Sequence, residues 1–231
     1  MRYLPPKFFR KTTIVAGPNM NKELKSESQQ NLVIGITLGD INGIGPEVVI
    51  KALVSLNALR NLTMVVYGHG KILSYYKTLL DIEDFVFHQI QPGDRLNHKK
   101  PNVINCWDDQ IEVKSGEVNS DGGKCALAAL TQAVDDLKSG LIQGLVTAPI
   151  NKNNIQSDQF RFPGHTEFLT EQFEAKDSLM FLCTENLRVG LTTGHIPISQ
   201  VATAITADKI SAKLELMFNS IKKDFHILDR I

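Results

Sequence analysis

Leu32-Val33-Ile34-Gly35-Ile36-Thr37-Leu38-Gly39-Asp40-Ile41-Asn42-Gly43-Ile44-Gly45-Pro46-Glu47 reads as a strand, a glycine-rich turn and a helix start. The apolar, β-branched content of residues 32–37 suits a buried strand. Pro46 suits the first turn of a helix expected over 46–56. Outward from this unit the two kinds of run alternate. Strands are expected at 62–67, 85–87, 103–105 and 145–147, and helices at 71–80, 120–138, 164–173 and 207–222. Residues 179–182 and 187–191 read as a hairpin through Glu185-Asn186. The strongest helix is 120–138, where Ala126, Leu127, Leu130, Ala133, Val134 and Leu137 make one apolar stripe and Gly140 stops it. Ser120 or Asp121 is its expected N-cap. The alternation predicts an α/β fold.

The 231 residues balance 25 Lys and Arg against 25 Asp and Glu. Nucleic acid and anionic membrane, which need a basic face, are therefore not expected partners. No apolar run approaches the roughly 18 residues that span a bilayer. Cys106, Cys125 and Cys183 are far apart and in no metal spacing. They read as reduced thiols in a cytoplasmic protein. Residues 1–31 carry scattered Lys and Arg without periodicity, and Phe8-Phe9 is too short for a signal segment. A disordered leader is expected there.

Two histidines sit in turn-forming settings. One is in Pro163-Gly164-His165-Thr166-Glu167-Phe168, the other in Thr192-Thr193-Gly194-His195-Ile196-Pro197. Gly, Pro and neighbouring hydroxyls place an imidazole at a site rather than in a core. Thr147-Ala148-Pro149-Ile150-Asn151-Lys152 ends a strand, and ligands gather at the C-terminal ends of parallel strands. Lys152 can offer a point charge to phosphate, or simply be solvated. The glycines at 39–45 allow either close ligand approach or a tight turn, without the G-x-G-x-x-G fingerprint. Those at 122–123 allow tight packing or phosphate binding. His165 and Thr166 can hydrogen-bond a substrate, and His195 is placed to bind metal. Catalytic zinc usually has three protein ligands, and His69, His88, His98 and His226 make no persuasive second one.

At these residues the chain resembles the 4-hydroxythreonine-4-phosphate dehydrogenase family of pyridoxal phosphate (vitamin B6) biosynthesis. The likeness runs from about Val33 to the C-terminus. It rests on Ile36-Thr37-Leu38-Gly39-Asp40 with Gly43-Ile44-Gly45-Pro46-Glu47, on residues 146–152, on residues 162–168, and on Leu187-Arg188-Val189 with residues 192–197. The resemblance implies an α/β/α fold like isocitrate and isopropylmalate dehydrogenases, with two subdomains around a cleft. It implies NAD, bound without a Rossmann fingerprint, and a divalent metal (Zn, Mg or Co). His165 and Thr166 correspond to the family's contacts with the phosphorylated substrate, and His195 to a metal ligand. A homodimer sharing its active sites is implied as well. The resemblance assigns no catalytic residue and no NAD contact on this chain.

Family members continue for about a hundred residues beyond the match, through segments holding the other two metal histidines and most of the NAD site. Residues 32–231 are therefore expected to be an incomplete dehydrogenase domain, inactive by itself. The expected reaction of the completed protein is NAD-dependent oxidation and decarboxylation of 4-phosphooxy-L-threonine to 3-amino-2-oxopropyl phosphate. The alternatives are a dehydrogenase of 4-phospho-D-threonate or 4-phospho-D-erythronate, a phosphate acyltransferase of similar general fold, and an inactive fragment.

Overall fold

The computed structural model describes residues 15–16, 32–56, 62–91, 93–108, 111–184 and 187–224. The chain divides into two compact units, one ending at Phe173 and the other beginning at Glu174. The first unit is built on a sheet of β1 (Val15–Ala16), β2 (Leu32–Thr37), β3 (Leu62–Gly68), β4 (His88–Ile90), β5 (Asn102–Asn105) and β6 (Gly144–Thr147). Their order is β1-β6-β2-β3-β5-β4. β2 to β6 run parallel and β1 runs antiparallel on β6. β2 is central, pairing Leu32 with Leu62 on one side and Ile34 with Gly144 on the other.

Four helices belong to this unit: α1 (Gly45–Leu56), α2 (Gly70–Leu79), α3 (Ser120–Ser139) and α4 (His165–Gln172). Alternation along β3 splits the core. Val65 and Tyr67 pack with Leu130, Val134 and Leu137 of α3 and with Phe168 and Leu169 of α4. Met64 and Val66 pack with Val49, Ile50 and Leu53 of α1 and with Ile72, Leu73 and Tyr76 of α2. The sheet thus lies between two helical layers, as strands apolar on both faces require. Each buried Leu or Val of α3 stabilises the unit by about 1.5–3 kcal/mol. Tyr67 stays protonated inside this core: burial, then its hydrogen bond to Asp136 Oδ2 at 2.7 Å, raises its pKa.

The second unit holds β7 (Phe181–Cys183) and β8 (Arg188–Gly190), an antiparallel pair, with α5 (Ile198–Ala204) and α6 (Ala207–Lys223). The expected hairpin is there, although its turn residues 185–186 lie outside the described ones. Lys213 of α6 donates to Asp177 Oδ1 at 2.7 Å, and this hydrogen bond holds the Asp177 carboxyl below its usual pKa. No helix among the described residues is long and apolar enough to cross a membrane.

Most expected elements form within two residues of their expected ends, and four details differ. Residues 85–87 are not a strand: Phe85 is buried and stacks on Phe87, and pairing starts at His88, whose N–H donates to Pro101 O. The N-cap of α3 is Asn119, whose Oδ1 accepts from Gly122 N at 2.9 Å, in place of Ser120 or Asp121. α5 buries no residue and so has no stripe to read. β1 is too short for a period; the rest of the expected 1–31 leader lies outside the described residues.

A polar clamp closes the C-terminal edge of the sheet. Asp40, 6% exposed, follows β2. Its Oδ1 accepts from Asn42 N at 2.9 Å and its Oδ2 from Asn154 Nδ2 at 2.8 Å. Asn42 Nδ2 donates to Asn119 Oδ1 at 3.0 Å, and Lys114 N donates to Asn42 Oδ1 at 2.8 Å. Tyr76 of α2 donates to Ile41 O at 2.8 Å. The segments after β2, before α3 and after β6 are thereby tied together.

Asp40→Ala strands the Asn42 N–H and the Asn154 amide, each worth about 1–3 kcal/mol when buried and unpaired. The expected result is a lower denaturation midpoint at unchanged m-value, read by urea unfolding. Burial also pushes the Cys106 and Cys125 thiols from 9.0 up to about 12. Iodoacetamide at about pH 8 should label exposed Cys183 first, and the other two only after denaturation, as counted by mass spectrometry. A raised thiol pKa contributes stability that is complete below the unfolded value. That share should fall as pH climbs from 9.0 towards about 12.

Candidate functional site

His165 and Thr166 open α4, both half-buried. The helix is anchored behind them. Phe168 and Leu169 enter the α3-side core, and Phe168 packs at a tilt on Phe160 at 5.2 Å and edge-to-face on Phe162 at 5.5 Å between ring centroids. The N-cap is Gly164, so no side chain caps the first turn. A helix start with open N–H groups favours an anion. The structure therefore brings the two expected substrate contacts onto adjacent positions of a rigid helix start.

The turn after β6 is fixed by its own amides. Asn151 Oδ1 accepts from Asn153 N at 2.9 Å, and Ile155 N donates to Asn151 O at 3.3 Å. Gln156 Nε2 donates to Lys152 O at 3.2 Å and to Phe162 O at 2.9 Å, joining this turn to the segment that leads into α4. Lys152 is exposed, and a Cβ added at Gly164 would lie 4.0 Å from its Nζ. Asn154 and Gln156 carried no signal in the sequence; their roles come from where the turn places their amides.

The glycines of the other two turns are taken up by packing. A Cβ at Gly39, whose φ is +68°, would clash with the Pro149 carbonyl, and one at Gly45 with the Leu38 carbonyl. Gly122 meets the Asp40 carboxylate and Gly123 the Asn154 carbonyl in the same way. Of the two readings open for these glycines, tight packing accounts for all four.

His195 belongs to the second unit. It is exposed and sits in the left-handed region at φ +55°, a conformation uncommon outside glycine. Among the described residues no group of three or more His, Cys, Asp or Glu could hold a metal ion. His69 is buried; it caps α2 by accepting from Lys71 N at 3.1 Å and stacks on Trp107. His98 Nδ1 pairs with Thr63 Oγ1 at 2.7 Å. His226 lies outside the described residues. The described residues do not fit a complete metal site, and His195 would be one ligand needing others.

The family model described as pyridoxal phosphate biosynthetic protein PdxA matches residues 60–231. The chain is 39% identical over 200 residues to a 4-hydroxythreonine-4-phosphate dehydrogenase of Bacteroides thetaiotaomicron, covering 86% of this chain and 55% of that protein. It is 34% identical to one from a Sulfurihydrogenibium species, covering 84% and 59%. It is 30% identical to a protein of Bradyrhizobium diazoefficiens provisionally named D-threonate 4-phosphate dehydrogenase, covering 82% and 55%. The chain thus spans little more than half the length of these relatives. Among solved structures, the 4-hydroxythreonine-4-phosphate dehydrogenase of Klebsiella pneumoniae superposes with a TM-score of 0.69 at 26% identity, covering 85% of this chain and 60% of that one. The Burkholderia phymatum enzyme does so with 0.67 at 28%, covering 80% and 56%. The fold is the expected α/β/α one of the isocitrate and isopropylmalate dehydrogenase type. With the match covering most of its length, the chain belongs to the PdxA family of pyridoxal phosphate biosynthetic proteins.

Proposed function

We propose that the protein carrying this chain is a 4-hydroxythreonine-4-phosphate dehydrogenase. It oxidises the secondary alcohol of 4-phosphooxy-L-threonine, and the resulting β-keto acid loses carbon dioxide to leave 3-amino-2-oxopropyl phosphate. The observation that carries this reading is the placement of His165 and Thr166 on the uncapped start of α4, in a chain whose relatives bear that enzyme's name.

His165 and Thr166 hold the substrate phosphate by hydrogen bonding, supported by the first-turn N–H groups of α4. The aromatic packing behind Phe168 keeps that phosphate anchor rigid. Anchoring one end of the substrate orients the reacting carbon without touching it. NAD, when bound, supplies the hydride acceptor. A divalent metal (Zn, Mg or Co) is proposed for the whole protein, with His195 as one ligand. The remaining ligands come from outside the described residues, as from a homodimer whose partner shares the site. The setting is cytoplasmic, in keeping with three cysteines that form no disulfide.

A second reading acts on D-threonate 4-phosphate, favoured by 30%-identical relatives from Bradyrhizobium diazoefficiens and Oceanobacillus iheyensis provisionally named for that activity. It uses the same phosphate anchor on an acid without the amino group.

The test is NADH formation, with and without Zn²⁺ or Mg²⁺, on both phosphorylated acids. The 231-residue chain is assayed beside a version extended through the downstream reading frame. Turnover of 4-phosphooxy-L-threonine by the extended protein is expected; preference for D-threonate 4-phosphate would replace the first reading with the second. In the active protein, Thr166→Val should raise KM about tenfold by removing one charge-assisted hydrogen bond, with kcat nearly unchanged. His195→Ala should abolish the response to added metal.

A further inference from the structure

We infer that Asn42-Gly43, in the turn after β2, is a latent deamidation site, and that the polar clamp around Asp40 holds it unreacted. The pair is the chain's one Asn-Gly step. In such a step the glycine has no Cβ to shield its backbone nitrogen. Gly43 N, giving up its proton, can bond to Asn42 Cγ while the Cγ–Nδ2 bond breaks and ammonia leaves. The product is a cyclic imide. Water then adds to one of its two carbonyls and reopens it, at Cγ to aspartate and at the main-chain carbon to isoaspartate. Water is the co-reactant, and nothing is oxidised or reduced.

The folded turn withholds both partners of that step. The Gly43 N–H donates to Asp40 O at 3.1 Å, so the nucleophile keeps its proton. Asn42 Nδ2 donates to Asn119 Oδ1 at 3.0 Å and Asn42 Oδ1 accepts from Lys114 N at 2.8 Å, which fixes the plane of the amide. Asn42 N donates to Asp40 Oδ1 at 2.9 Å and Gly116 N donates to Asn42 O at 2.8 Å, which fixes the backbone on either side. The Lys114 bond by itself draws electrons from Cγ. Protection therefore comes from the fixed geometry rather than from an inert amide. Asn42 is 3% exposed, whereas Gly43 next to it is exposed. Water and hydroxide reach the turn, and the pose of Asn42 stands in their way.

Loss of ammonia makes the change permanent. The new carboxylate cannot donate to Asn119 Oδ1, the oxygen that also caps α3 through Gly122 N. It also lies beside the buried Asp40 carboxylate, where poorly screened like charges repel. An isoaspartate further lengthens the backbone of the turn. One opening long enough to react is thus recorded as a clamp that no longer closes.

The experiment is peptide mapping by mass spectrometry of the full chain kept at neutral pH, in buffer and in denaturing guanidinium chloride. The proteins are the parent, Asp40→Ala, Gly43→Ala and Asn42→Asp. In denaturant, Asn42 of the parent should convert ahead of the other asparagines. In buffer its conversion should be at least about tenfold slower, because the rate follows the open fraction. Asp40→Ala should raise the rate in buffer about tenfold and leave the rate in denaturant unchanged. Gly43→Ala should suppress conversion in denaturant and keep the parent's unfolding midpoint, since the added Cβ meets Asp40 O at 3.5 Å and Asp40 Cβ at 3.7 Å, ordinary contacts. Asn42→Asp should lower the midpoint as the modified turn would. Equal parent rates in buffer and in denaturant overturn the inference, as does a parent-like rate in folded Asp40→Ala. Should Asp40→Ala fail to fold, the parent across a denaturant series replaces it: a rate that tracks the open fraction supports the inference, and one that ignores it overturns it. A parent-like midpoint in Asn42→Asp sinks the blocked reclosure and leaves the guarded site standing.

Discussion

The buried carboxylate of Asp40 is the constraint on which the edge of the sheet depends. A carboxylate taken out of water must find hydrogen-bond donors, and here they come from two different segments. The Asn42 N–H fixes the turn after β2, and the Asn154 amide fixes the turn after β6. Asn42 passes the constraint on to Asn119, which caps α3. One charged group therefore sets the relative positions of three loops that side-chain burial alone would leave loose. The 151–156 turn inherits its order from this clamp, being held at Asn154 on one side and at Gln156 on the other.

This explains which parts of the fold could be read in advance. The sheet and its two helical layers follow from periodicity: alternation along residues 64–67 and the stripe of α3 each leave one arrangement that buries the apolar faces. The details that escaped lack such a period. α5 buries nothing, β1 is two residues long, and the aromatic run at 85–87 imitates a strand while anchoring a loop. The choice of Asn119 over Ser120 as cap is settled by its second bond, to Asn42, a residue 77 positions away. No local window contains that partner.

The candidate site was legible to a different degree in each unit. In the first, His165 and Thr166 stand out because glycine and proline precede them, and the structure puts both on one helix start. In the second, His195 stands out because Gly194 precedes it and Pro197 follows, and it is held in a left-handed turn on the surface. Strained backbone persists where surrounding structure or function maintains it, which keeps His195 of interest. A metal needs several ligands converging, and convergence is a property of distant residues that turn chemistry cannot announce.

The glycine-rich turns point the same way. Glycines between a strand and a helix are ordinarily suspected of cradling phosphate, because an absent Cβ lets a ligand reach the backbone. In this chain the space left at Gly39, Gly45, Gly122 and Gly123 is filled by protein carbonyls and the Asp40 carboxylate. Placing a dianion beside that buried carboxylate would cost repulsion in a poorly screened setting. Gly164 is different: its nearest neighbours are the tips of Lys152 and Glu167, which can swing away, rather than backbone, which cannot. The turns richest in glycine are thereby filled by protein atoms, whereas the start of α4 keeps a single glycine bordered by side-chain tips.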